Sequence, residues 1–388
     1  MEIRQPSKRQ GREHYVAPSS NKTLFLYALT ALVVLRILMG AGFIADIPAI
    51  QHTGWQFHCG GGDQILYFNM AQSFAAVRPI PGKYPIGFPL LLTPLVLFFK
   101  PAVWQDLVIP VVLFHTMLAL ISIYLVGYIT RALTKNISLG ILSALLWTIT
   151  PYIIYALAAF FDTQWIRNTY VSYYMWFSML SEPTATFFLL LSLYCYLLSL
   201  EKKHLSWLVG ITAGMTMAIR IPGVFYVVVF ASGYMLSRRY WDLALFAAGV
   251  LFMVFPQILY NSIFYNSLLT SGYTHAPGQP AIHYSVAYTK TFVMYLIHQH
   301  PSVFSFLLLG ALTVPAAILY LYSYRCAVHG WIVLMGIVCI HSAFYSTWWG
   351  FMSDFIRFLM PVVPVVIIIT AGFIGALKKF LLPAMRGI

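Results

Sequence analysis

Asp63 lies in a polar stretch, GGGDQILYFNMAQSF, that follows the first of many membrane-length apolar runs and precedes KYPIGFPLLLTP. A carboxylate within hydrogen-bond reach of an alcohol can take the alcohol's proton. Acids are scarce in this chain, Asp and Glu together numbering 10 in 388 residues. An acid held at the mouth of an apolar bundle, with cations brought in from other segments, suits proton chemistry in a membrane enzyme. Cations are at hand in the sequence: Arg78 and Lys83 near Asp63, Arg220 in IRIPG, Lys290, and Arg357 in TWWGFMSDFIRFLMP, where Asp354 stands three residues earlier. Glu182, in SEPT, is a second acid that opens an apolar run.

The elements that must position these residues are membrane spans. The chain is 60% hydrophobic and 9% charged, with a mean hydropathy of +0.80, too few polar side chains to cover a soluble surface. An all-α polytopic fold of about ten transmembrane helices is expected, because runs near 20 apolar residues cross a bilayer as helices. The runs lie at about 23–45, 106–130, 138–159, 180–199, 205–219, 222–236, 242–262, 303–323, 329–345 and 358–377. The fifth and sixth are short and meet at IRIPG, where Pro222 breaks the helix. The first run starts near Thr23 and reads as a retained span, since a signal peptide has a shorter apolar core.

The basic residues give an orientation. With a cytoplasmic N-terminus, the inside segments hold Arg131, Lys135, Lys202, Lys203, Arg238, Arg239, Arg325 and both termini, 15 basic residues against four acids. The rest of the chain has eight basic and six acidic residues. Excess Lys and Arg on cytoplasmic loops is the usual topological signal. The net charge of +13 is therefore mostly topological, and no nucleic-acid partner is needed to explain it. The expected division is a basic cytoplasmic arm (1–22), a transmembrane domain (23–377) and a basic cytoplasmic tail (378–388). The domain's long outer loops fall at 46–105, with short interfacial helices, and at 263–302.

In this topology the ionisable residues outside the cytoplasmic turns converge on the outer face. Such groups are costly near a membrane, so their convergence points to a polar site. The four cysteines show no zinc or disulfide spacing. His298 and His300 form the one H-x-H pair that suggests a metal, and no cofactor is expected. Arg36, inside the first run, is expected to pair with an acid or a carbonyl.

Five segments carry a family resemblance: GGDQILYFNMAQ, YPIGFPLLL, SEPTATFFLLLSLY, RIPG and DFIRFLMPVVP. In this order, over about residues 23–377, they resemble the GT-C membrane glycosyltransferases. The nearest group in pattern is that of the protein O-mannosyltransferases and aminoarabinose transferases. Many relatives have an acidic pair where this chain has Asp63-Gln64. The larger relatives also carry a soluble outer domain after the last span, so acceptor recognition is expected here from loops and bundle.

The resemblance implies a polyprenyl-phosphate sugar donor attacked by a hydroxyl of an acceptor glycan, glycolipid or protein at the outer face. Inverting transfer needs one base opposite the leaving group, and Asp63 suffices. The leaving lipid phosphate needs fixed cations; Arg220 and Arg357 suit it because Arg grips phosphate through two N–H groups, with Lys290 third. Tyr67, Lys83, Tyr84, Glu182 and Asp354 complete the candidate site. Plainer roles exist for several of these: Asp63 and Glu182 as acids at helix starts, Arg357 as an ion-pair partner of Asp354, Arg220 as a snorkelling side chain, and Tyr84, Pro85 and Pro89 as shapers of the loop's return.

Two other classes share parts of this pattern. A polymerase or ligase of lipid-linked oligosaccharides would carry its main loop late in the chain. A transporter or flippase would place its charges at mid-membrane in duplicated halves. The large early loop around Asp63 favours the monophosphate-donor enzyme. The orientation is testable: Gly61→Cys in a Cys59→Ser background is expected to react with an impermeant thiol reagent applied from outside. Labelling from the cytoplasmic side alone would reverse it.

Overall fold

A computed structural model describes residues 19–45, 62–160, 179–268, 294, 327–346 and 358–385. Among these residues the regular structure is helical throughout, the form in which an apolar segment satisfies its own backbone away from water. In chain order the helices are α1 (Ser19–Ala45), α2 (Gly62–Ala75), α3 (Gly87–Phe99), α4 (Val108–Thr134) and α5 (Ile137–Phe160). There follow α6 (Glu182–Glu201), α7 (Ser206–Ile219), α8 (Gly223–Leu236), α9 (Tyr240–Tyr265), α10 (Val328–Ser346) and α11 (Val363–Met385). Helix is present at every expected span except 303–323, which lies outside the described residues.

Five of these segments are long and apolar enough to cross a membrane: Lys22–Ala41, Trp104–Thr134, Glu182–Glu201, Tyr240–Tyr265 and Val328–Tyr345. Gly87–Phe99, Ile137–Ile153, Gly223–Leu236 and Val363–Lys378 are apolar but shorter. The short α2 and α3 fall in the stretch where interfacial helices are expected. The last helix starts at Val363, later than the apolar pattern alone implies. Pro361 holds the chain in a turn, with Val362 N bonded to Leu359 O at 3.0 Å, and Pro364 enters the helix in its first turn, where no N–H is missed.

Local chemistry sets the breaks. Asn136 accepts a bond from Leu139 N at 3.2 Å and so caps α5. Lys100 and Lys135 end α3 and α4 in the left-handed region (φ 47 and 56), placing a cation at each helix's negative end. Arg220 ends α7 in an extended conformation and Pro222 caps α8, so the IRIPG break is real.

Glycines let two helix pairs touch backbone to backbone. A Cβ on Gly210 of α7 would sit 2.1 Å from Phe246 O of α9, and one on Gly249 of α9 would sit 2.3 Å from Trp207 O of α7. Gly140 of α5 meets Gly127 O of α4 in the same way, at 2.9 Å. Small residues bring membrane helices together like this because dispersion and close backbone approach replace the hydrophobic drive. The opposite face of α9 is left bare: Phe252 is 70% and Ile263 74% exposed, which suits lipid contact.

Side-chain contacts sort the helix ends into two groups. At one end Arg131 lies over the Phe25 ring at 4.9 Å, and Gly330 packs on Leu133 and Leu197. There too Arg239 pairs with Asp242 at 2.7 Å and donates to Ser199 O at 2.5 Å, while Ser206 donates to Asp242 at 2.7 Å. The basic turns around Arg131, Lys202 and Arg238 thus share one end. The starts of α2, α4, α6 and α8 and the ends of α7, α9 and α10 share the other. A large core headed by Trp331, Tyr196, Tyr234 and Phe230 fills the bundle. A second core, with Phe68, Phe88, Trp104 and Ile219, seats the α2–α3 hairpin against α4.

Gly249→Val forces the α7 and α9 backbones apart and is expected to destabilise the protein by about 1–3 kcal/mol, read as a lowered thermal midpoint in detergent. Ser232→Ala on the exposed side of α8 should leave the midpoint unchanged. Equal midpoints for both variants would contradict the close backbone contact.

Candidate active site

Asp63 sits in the first turn of α2, where an acid favours the helix dipole. Its carboxylate accepts a hydrogen bond from the Tyr84 hydroxyl. Tyr84 is buried, its ring tilted against Tyr67 with centroids 4.8 Å apart, and Tyr67 stands edge-on to Phe88 at 5.0 Å. Lys83 carries its ammonium 5.7 Å from the Tyr84 ring centre. These four expected residues therefore form one group.

The segment that presents Tyr84 is fastened to the end of α9. Ile86 N donates to Gln257 Oε1 at 2.7 Å, the Tyr260 hydroxyl donates to Ile80 O at 2.7 Å, and the Tyr265 hydroxyl donates to Gly82 O at 2.6 Å. A Cβ on Gly87 would meet Ala218 carbonyl atoms at 2.5 Å, so the start of α3 rests directly on α7.

Two side chains of α2 reach the chain just before α6. Gln64, 1% exposed, accepts from Met179 N at 3.0 Å. The neutral amide next to Asp63 thus serves a backbone N–H. The Tyr67 hydroxyl meets Ser181 Oγ at 3.1 Å. Ser181 in turn accepts from Arg220 Nη1 at 3.4 Å, and Arg220 makes an ion pair with Glu182, whose side chain is fully buried.

The Arg220 guanidinium also donates to the Tyr345 hydroxyl at 3.4 Å and lies 5.0 Å above the Phe358 ring. It does not snorkel: its side chain is 13% exposed and turned onto Glu182. Glu182 also opens α6, with Pro183 next to it, so its helix-start role and its ion pair coexist. Beneath it, Thr184 bonds His115 Nε2 at 3.1 Å, and His115 stacks on Phe88 at 5.9 Å, closing a ring of contacts back to Tyr67.

Of the expected site residues, Asp63, Tyr67, Lys83, Tyr84, Glu182 and Arg220 come to one end of the bundle in two groups joined through Ser181. Lys290, Asp354 and Arg357 lie outside the described residues, as do His298 and His300. Arg36 is elsewhere, donating to Thr148 O at 2.7 Å, a carbonyl partner as expected. Sequence reasoning passed over Ser181, His115, Tyr345 and His341. The available signal was a polar or ionisable group inside an apolar run, which in a membrane is rarely idle. Among the described residues, no three of His, Cys, Asp and Glu gather into a metal-holding group.

A scan against protein-family models, a search of curated proteins and a search of solved structures each find no match.

A charge pair this buried is sensitive to loss of one member. Arg220→Met removes the guanidinium from a carboxylate with no access to water, and should destabilise by about 3–5 kcal/mol. Adding Glu182→Leu should recover much of that loss, because the buried charge is gone. Unfolding in detergent checks both; a double variant no better than the single one would mean that the pair is not the stability determinant.

Proposed function

We propose that the chain is an inverting membrane glycosyltransferase that moves a sugar from a polyprenyl-phosphate donor to an acceptor hydroxyl on the extracytoplasmic face. In this reading the helices belong to a GT-C-like bundle of about ten spans, and the basic end faces the cytoplasm. The observation that carries it is the link Asp63–Tyr84–Tyr67–Ser181–Arg220. It brings a carboxylate and a guanidinium from distant segments to the end opposite the basic turns. Scarce charges gathered there match a reaction that needs a base on one side and an anion-binding cation on the other.

The acceptor oxygen attacks the anomeric carbon while its proton passes to Asp63. The bond from that carbon to the phosphate oxygen breaks, and its electron pair leaves with the polyprenyl phosphate. Attack opposite the leaving group inverts the anomeric centre, so one carboxylate is enough. The Tyr84 hydroxyl orients that carboxylate. Arg220, with Arg357 and Lys290, offsets the charge that grows on the phosphate. Glu182 keeps the Arg220 guanidinium in one orientation, and preorganised donors are what make such stabilisation effective. The acceptor is a glycan, glycolipid or protein.

Asp63→Asn keeps size and most hydrogen bonding but cannot take the proton. Turnover of a polyprenyl-phosphate sugar should fall by about 100-fold or more with donor binding retained. Tyr84→Phe, which frees the carboxylate to rotate, should lower turnover by roughly tenfold, the scale of one charge-assisted hydrogen bond. Near-normal turnover in Asp63→Asn would eliminate Asp63 as the base.

A further inference from the structure

His341 is 1% exposed and lies in α10, a turn before Tyr345. Its Nε2 is 2.7 Å from Phe358 O, and its Nδ1 is 2.5 Å from the Tyr226 hydroxyl. A carbonyl only accepts, so Nε2 carries the proton, and in the neutral ring Nδ1 accepts from Tyr226. The Tyr226 ring stacks on the imidazole at 5.8 Å and 14°, which fixes the ring plane as well as the tautomer.

Phe358 O lies within hydrogen-bond distance of His341 Nε2, and neither of the next-turn N–H positions is directed to it. Pro361 has no N–H to give, and Val362 N is bonded to Leu359 O. A buried carbonyl needs a donor, and His341 supplies one from another helix. What hangs on that bond is the candidate site: the Phe358 ring lies flat on Tyr345 at 5.1 Å and 13°, and both hold the Arg220 guanidinium. Tyr226 stands just past the IRIPG turn in α8, so its bond to His341 ties that turn to α10.

We propose that His341 and Tyr226 are positioning residues for Arg220: by docking Phe358 against α10 they set where the guanidinium sits, and so how a lipid phosphate is met. The phosphate part of this rests on the donor role proposed for Arg220; the positioning part does not.

The test uses full-length protein labelled with 15N-arginine in lipid nanodiscs, where the Arg220 resonances are those lost in Arg220→Lys. Tyr226→Phe and His341→Leu should shift these resonances. His341→Gln, whose amide N–H still reaches toward the Phe358 carbonyl, should keep them near their wild-type positions. Affinity for polyprenyl phosphate, measured on the same samples, should weaken about tenfold in His341→Leu, the effect of roughly one misplaced charge-assisted bond, and recover in His341→Gln. Unmoved Arg220 resonances in His341→Leu overturn the positioning role; if that variant does not fold, unmoved resonances in Tyr226→Phe overturn it instead. A wild-type protein that binds no polyprenyl phosphate removes the donor reading, and the resonances still decide the positioning role.

Discussion

Glu182 is fully withdrawn from water and Arg220 largely so, and a lone charge in Glu182's position would be strongly unfavourable. Satisfying each with the other fixes the start of α6 against the break between α7 and α8. The remaining partners then follow. Ser181 comes with Glu182 and carries Tyr67 and α2. Tyr345 and Phe358 come with the guanidinium and bring the end of α10 and the approach to α11. A buried pair of this kind contributes little net stability, yet it restricts the bundle to arrangements in which these ends coincide.

Periodicity and apolar length made the helices legible, because a segment in lipid has little choice but to satisfy its backbone internally. Pro222 made the α7–α8 break legible for the same local reason. Arg36 was readable too, since a cation inside a span must find an oxygen. The pairings of the site were not readable. Asp63 and Tyr84 are 21 positions apart and Arg220 and Tyr345 are 125 apart, distances over which no sequence pattern operates. Glu182 illustrates the ambiguity: Ser-Glu-Pro before an apolar run describes a helix start fully, and nothing in it announces a distant arginine. Gln64 illustrates the converse, a polar residue beside Asp63 whose side chain the fold uses to hold Met179 N.

The two ends of the bundle use charge differently. At the basic end, Arg239, Asp242, Ser206 and Ser199 stitch α6, α7 and α9 together, while Lys202, Lys203 and Arg238 project outward. At the other end, the charged groups of the site are turned inward and bound to aromatic hydroxyls and rings. The first pattern is that of a surface meeting water and lipid headgroups; in the second, charges are held among aromatic side chains. The α2–α3 hairpin belongs to the second, fastened to α9 by tyrosine hydroxyls and to α4 by apolar packing.

The shortness of α7 and α8 has a geometric result. Each has 14 residues, so each rises about 21 Å, whereas a bilayer's hydrocarbon layer is about 30 Å thick. With the basic end at one interface, the turn bearing Arg220 stops several ångströms short of the other. On the donor role proposed for Arg220, such a mismatch would thin the far leaflet around this pair, and a lipid phosphate at that dimple would meet the guanidinium without lifting its chain out of the oil. On that reading membrane thickness is a variable of the protein's chemistry: a thicker bilayer would sink Arg220 further from the headgroup plane.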